Sequence, residues 1–248
     1  MALNDWIKNM GYTDEEPASQ VRVLVYGEPG AGKTHFAGTF PHPLFIDADR
    51  GLRTLKGFHH PYVPLTLGGR TYKEIMEILR AVRDGQEPFD KIPVQTIVLD
   101  SLTEIASMLV AESMRYPTIV GGKSSAVRKP EDEKPQWDDY ARIAGRLDSI
   151  MLTCRDMGMN VVATAGVKTE KDEVTGGLIG GPNIVGGYRH VIGHKFDEFF
   201  YMEPKEEGGK SKYYAYTSKH RYFAAKSRDG RAGRLENPNY KDLYGGKT

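Results

Sequence analysis

Cysteine is nearly absent from this chain: Cys154 is the single one in 248 residues. No intrachain disulfide can form, and the usage fits a reducing compartment. Cys154 falls on the apolar side of a helix-patterned stretch, so it reads as a core residue. Net charge is nearly absent too. The 34 Lys and Arg against 33 Asp and Glu leave +1, so nothing global marks the chain for a polyanion. No run approaches the ~20 apolar residues of a membrane-spanning helix. The opening MALNDWIKNMGY lacks the apolar core of a signal peptide. Together these absences exclude a disulfide scaffold and a helical membrane span, and they point to a cytoplasmic protein without a membrane partner.

What is present is an ordinary globular composition, 39% hydrophobic and 27% charged. The length is at the upper end for one α/β domain, and such a chain hides about 70% of the surface its unfolded form exposes.

One stretch organises the rest. GEPGAGKT, Gly27 to Thr34, fits G-x-x-x-x-G-K-[ST], a phosphate-binding loop. The β-branched run VRVLVY precedes it and reads as a buried strand; THFAGTF follows and can continue as a helix. Strand, glycine loop, helix is the order the chemistry needs. Gly27, Gly30 and Gly32 let successive backbone N–H groups turn toward one phosphate chain, and the helix N-terminus adds partial positive charge. Lys33 would place its ammonium on the β- and γ-phosphates, and Thr34 would offer a hydroxyl to Mg²⁺. The cofactor-binding set is therefore Gly27, Glu28, Pro29, Gly30, Ala31, Gly32, Lys33, Thr34 and His35, for ATP with Mg²⁺.

Strands alternate with helices beyond the loop. Leu44 to Ala48 read as a second buried strand ending in acids. TYKEIMEILRAVRDG reads as a helix opened by a Thr71–Glu74 capping box and closed at Gly85. TIVLD, Thr96 to Asp100, is a third buried strand, with a helix behind it. Tyr140, Ile143, Leu147, Ile150 and Cys154 mark another helix, and NVVATA another strand. Two long aperiodic stretches, 116–136 and 166–188, read as loops too long for ordinary connections. DEFFYME and KYYAYT read as an antiparallel hairpin across PKEEGGKS. The pattern predicts an α/β fold with a doubly wound, mostly parallel sheet. The expected division is a polar leader over 1–20 containing Trp6 and Ile7, a core over 21–226, and a basic irregular tail over 227–248.

Asp100 ends an apolar strand, the pattern of a carboxylate that holds Mg²⁺ beside the loop threonine. Thr34 and Asp100 are thus the metal residues. Ser101, not a second acid, follows. Ser101-x-x-Glu104 has capping-box spacing, so Glu104 is read as structural ahead of catalytic. Hydrolysis needs a carboxylate to orient water, and the second strand ends in Asp47 and Asp49.

FIDADRGL and TIVLDSLTEI resemble two segments of RecA-type recombinases: the strand ending in a catalytic glutamate, and the strand ending in the metal aspartate. The element order resembles theirs as well. Within that group, the chain is similar to short phage-encoded RecA-like ATPases of the single-strand-annealing type, which carry a late basic segment like AAKSRDGRAGRL. The resemblance spans roughly Val21 to Leu235. It implies a RecA-like P-loop ATPase core, with catalytic roles for Lys33, Asp49 and Asp100. It also implies a cation given in trans, Lys226 or Arg228, to nucleotide held between subunits of a homo-oligomer. Single-stranded DNA would bind the two long loops, through Lys123, Arg128 and Lys129 in the first and Lys168, Lys171 and nearby Arg189 in the second. A single-strand-binding protein is a further implied partner, and the compartment would be the bacterial host cytoplasm. Two departures stand out. Asp49 is a methylene shorter than the glutamate, and NVVATAG offers Thr164 where those proteins carry a γ-phosphate-sensing glutamine. The main reading is ATP-driven recombination or annealing. The alternatives are a helicase- or loader-type ATPase and a nucleotide-gated switch with little turnover. A small-molecule kinase would need an arginine-rich lid, and none is identifiable.

Overall fold

Alternate residues of β1 (Arg22–Gly27) enter two different cores. Val23 and Val25 face one layer; Leu24 and Tyr26 face the other. A strand covered on both faces needs a continuous apolar run. β2 (Pro43–Asp47), β4 (Thr96–Asp100) and β5 (Asn160–Ala165) meet that need and are buried throughout. The computed structural model describes residues 20–115, 135, 137–231 and 233–245. The leader with Trp6 and Ile7, and Lys123, Arg128 and Lys129 of the first long loop, lie outside the described residues.

The remaining strands of the main sheet are β3 (Tyr62–Pro64), β8 (Glu198–Glu207), β9 (Lys210–Tyr216), β10 (Lys226–Ser227) and β11 (Arg234–Glu236). The sheet runs β11–β9–β8–β1–β5–β4–β2–β3, with β10 beside β8. β8, β1, β5, β4, β2 and β3 are parallel. β9, β10 and β11 are antiparallel to their neighbours. This is a mixed, mostly parallel α/β sheet, and its parallel strands bring their carboxyl ends to one edge.

One face is covered by α2 (Thr71–Arg83), α3 (Leu102–Arg115) and α4 (Trp137–Asp156), which bury Ile75, Leu79, Ile105, Leu109, Ile143 and Cys154. The other face is covered by α1 (Lys33–Gly38), by Leu55, and by α6 (Tyr240–Tyr244) through Leu243 and Tyr244. Among the described residues no helix is long and apolar enough to cross a membrane.

Four sequence expectations need correction. The tail is not irregular throughout. Its Leu235, Leu243 and Tyr244 are needed to cover the thinly roofed second face, so it forms β11 and α6. The boundary at 226 also cuts through β10. The second long loop is an ordered antiparallel ribbon, β6 (Val167–Lys171) with β7 (Leu178–Pro182), closed by Asp172, whose side chain accepts from Val174 and Thr175. It leads to a short helix, α5 (Tyr188–Val191). The Thr71–Glu74 box is not formed, because Glu74 Oε2 accepts the N–H of Thr66 at 3.0 Å, outside the helix. Finally, β9 begins at Lys210, so PKEEGGKS shrinks to a turn at Gly208 and Gly209.

Candidate nucleotide site

The loop Gly27–Thr34 leaves β1 at the carboxyl edge. Gly27 is fixed by packing: a Cβ there would lie 2.1 Å from the Met202 carbonyl oxygen of β8. Gly32 is fixed by conformation, with φ +85°, a region that side chains disfavour. Glu28, Pro29, Gly30 and Ala31 form the turn between them, held by Ala31 N–H to Glu28 O at 3.2 Å. Lys33 Nζ donates to the carbonyls of Gly27 and Glu28, both at 2.9 Å, so its ammonium lies over the loop. Burial lowers the Lys33 pKa, while Asp100, Asp49 and Glu28 oppose that shift. His35 stands one residue past Thr34 and meets Phe58 edge-on at 5.8 Å.

β4 brings Asp100 to the loop. Thr34 Oγ1 donates to Asp100 Oδ2 at 3.0 Å, and Thr164 Oγ1 of β5 donates to Asp100 Oδ1. Hydroxyl and carboxylate are the hard oxygen donors that Mg²⁺ takes, with its other positions left to phosphate and water. The residues present therefore fit Mg²⁺, which when bound neutralises charge on the phosphate oxygens. Asp100 is 2% exposed. Burial raises its pKa, Asp49 and Asp47 push the same way, and the two threonines oppose them.

The tips of β2 and β4 are stitched together. Asp100 O accepts from Ala48 N–H at 2.7 Å and from Asp49 N–H at 3.3 Å. Asp47 Oδ1 accepts the Arg50 N–H at 2.7 Å, which makes it a turn residue. Asp49 Oδ1 accepts from Ser101 Oγ at 2.8 Å, and the same Ser101 oxygen accepts the N–H of Glu104 at 3.3 Å. Asp49 is thus beside the Thr34–Asp100 pair, while Glu104 opens α3 with Ser101 as its cap.

The structure gathers the loop, Asp49 and Asp100 but leaves Lys226 and Arg228 elsewhere. β10 lies against Phe199 and Glu198, near the amino end of β8. Arg228 Nη1 meets Asp197 Oδ1 at 2.9 Å, and Asp197 also accepts from Arg22 Nη2 at 2.7 Å. Arg22 starts β1 and Gly27 ends it, a span of roughly 16 Å at about 3.3 Å per residue. Neither cation is at its own chain's loop. Instead, Lys226 lines a cleft of about 280 Å³ with Lys168, Glu170, Arg189, His190 and His194, where Arg189 pairs with Glu170. Sequence reading missed two features. One is the Thr164 bond to Asp100. The other is Tyr213, whose ring lies against Gly32. No local pattern signals either, because strand pairing brings those residues to the loop.

A strand-tip aspartate bonded to the threonine of a G-x-x-x-x-G-K-T loop defines a P-loop nucleoside triphosphatase. The chain belongs to the AAA-domain family, which matches residues 19–229. It is a nucleotide-binding, nucleotide-hydrolysing ATPase of that kind, and the match does not extend to a recombinase in particular. No curated protein matches the chain. Among solved structures, a KaiC-like protein, PH0186, from the hyperthermophilic archaeon Pyrococcus horikoshii OT3 is similar at 16% identity and a TM-score of 0.47. The similarity covers 89% of this chain and 84% of that one.

Proposed function

We propose that this ATPase is a nucleotide-gated switch with slow turnover. The observation that carries the reading is the bond from Thr164 to Asp100. It joins the metal carboxylate to the tip of β5, and β5 runs through Gly166 straight into the β6–β7 ribbon. Gly166 is anchored in turn, its N–H donating to Thr103 Oγ1 at 2.9 Å. A change in charge at Asp100 therefore has a short covalent and hydrogen-bonded route to the ribbon. The base is also restrained: Asp49 is short, and the Ser101 hydroxyl occupies one of its oxygens. The expected behaviour is tight MgATP binding with turnover well below the ~10 s⁻¹ of a median enzyme.

A second reading, action on single-stranded DNA in recombination or annealing, is favoured by the cleft beside the ribbon. Lys168, Arg189 and Lys226 give it cationic walls suited to phosphate. ATP turnover measured with and without single-stranded DNA separates the two. A switch stays slow in both conditions. Stimulation of tenfold or more, a ~1.4 kcal/mol effect on the barrier, would favour the DNA-driven reading and overturn the switch.

Under either reading the nucleotide lies between copies of the chain. Lys226 and Arg228 stand too far from their own loop to act on its nucleotide in cis, so a role at the γ-phosphate would be played at a neighbour's site. Lys226 is the stronger candidate, since Arg228 is engaged by Asp197. Lys226→Ala should bind ATP yet lose turnover, and mixing it with Lys33→Ala protein should restore part of it. Normal turnover in Lys226→Ala and in Arg228→Ala would remove the trans cation from the scheme.

A further inference from the structure

Loop amides, Lys33 and Thr34 provide for the phosphates, but the sugar and base of a nucleotide need a surface of their own. We infer that Tyr213 is that surface, the residue on which the nucleoside packs. The inference rests on the P-loop reading of residues 27–34.

Tyr213 belongs to β9, whose neighbouring tyrosines are explained by the core. Tyr214 and Tyr216 are 1% and 5% exposed and point into the face covered by α2, α3 and α4. Alternation along the strand sends Tyr213 the other way, beside Ala215 and toward α1. There its ring covers Gly32: a Cβ added to that glycine would meet Cδ1 at 3.0 Å and Cγ at 3.2 Å. Gly32 immediately precedes Lys33, so the ring borders the loop where it enters the first turn of α1. Tyr213 is only half-buried, and its hydroxyl has no partner among the described residues. The ring is therefore open on one side.

Its backbone is rigidly held. Tyr213 pairs with Pro204 of β8 on one side. On the other side Asn237 accepts the Tyr213 N–H at 3.0 Å, and the Tyr213 carbonyl accepts the Asn237 N–H at 2.6 Å. A flat side chain fixed at the exit of a phosphate loop suits the π-face that every base offers, and such stacking is sequence-tolerant. Tyr213 is on this account a binding residue, with no part in the chemical step.

The test compares ligands with and without a nucleoside. Binding of MgATP, MgADP and magnesium tripolyphosphate is measured for wild type, Tyr213→Phe and Tyr213→Ala. Tyr213→Ala should bind ATP and ADP roughly tenfold more weakly, within the range of base–aromatic stacking, and tripolyphosphate as wild type does. Tyr213→Phe should match wild type throughout. Should Tyr213→Ala not fold, Tyr213→Leu keeps the bulk over Gly32 while losing the flat ring, and carries the same expectation. Equal losses for ATP and tripolyphosphate would mean that Tyr213 merely props the loop, which overturns the proposal. So would unchanged ATP binding. Wild-type protein that binds neither ligand would instead refute the loop assignment, and the proposal would go with it.

Discussion

At the amino edge of the main sheet, Asp197 is met by two guanidinium groups, those of Arg22 and Arg228. At the carboxyl edge, Asp100 is more deeply buried and is met by two hydroxyls, those of Thr34 and Thr164, with Asp47 and Asp49 beside it. The pKa values move oppositely. Burial raises both carboxyls, but the Arg22 bonds overcome it at Asp197 and hold that group below its ordinary value. At Asp100 nothing overcomes burial, and the group stays raised. One sheet thus carries a carboxylate paired with two guanidinium groups of its own chain and another bonded to two hydroxyls. The first arrangement stabilises the fold; the second fits the hard oxygen donors that Mg²⁺ takes.

The largest effects should fall at the carboxyl edge. Lys33→Ala and Asp100→Asn should each lower ATP turnover by more than about 10²-fold, while melting temperature hardly falls. Asp100→Asn removes a buried carboxyl that is costly to ionise, so a clear loss of stability there would break the contrast. Asp49→Asn should lower turnover by about 10²-fold, the smaller end of general-base effects, and leave ATP affinity nearly unchanged. If Glu104→Gln shows that phenotype and Asp49→Asn does not, the water is oriented from α3.

The amino edge should behave in reverse. Asp197→Ala leaves Arg22 and Arg228 without their acid and removes the acceptor for the Arg22 N–H. Denaturant melts should show a loss of about 1–2 kcal/mol, less than for a fully buried pair because all three side chains keep solvent contact. ATP affinity should stay within about twofold of wild type. A loss of nucleotide binding at unchanged stability would refute the division between the edges.

The smallest effect is on pH. Asp197, with its lowered pKa, contributes stability that is complete above the ordinary carboxylate range and lost as pH falls through its folded value. Asp100 has a raised pKa, so it takes a proton earlier as pH falls, above that range, and protonation favours the folded state. Mg²⁺-dependent ATP binding should therefore weaken at a higher pH than the fold does. Parallel titrations of MgATP affinity and melting temperature from neutral pH downward would show the two midpoints, and coincidence of the two would contradict the assignment.

The loop and the acid-tipped strands were legible because their signals are local. A buried parallel strand needs a run like TIVLD, and a phosphate loop needs its glycines and Lys-Thr within a few residues. The order in the tail is not legible for a complementary reason. Tyr240, Leu243 and Tyr244 sit among Gly, Asn and Lys with no sustained period, and their value as a cover appears only when Phe40 is in place beneath them, 4.9 Å from the Tyr240 ring. The ribbon after β5 is not legible because its glycines, which signal loops, are also what lets Gly180 lie against Phe223.

The sequence by itself determined that the chain is an α/β nucleotide-binding protein, that Lys33, Thr34 and Asp100 share one site, and that Cys154 is core, since each follows from contiguous patterning and backbone chemistry. Only the tertiary structure decided that Thr164 leans on Asp100, that Tyr213 covers Gly32, and that Arg228 belongs to Asp197 at the far edge. Those relations join residues tens to almost two hundred positions apart. They depend on strand order and register, which no local run of residues encodes.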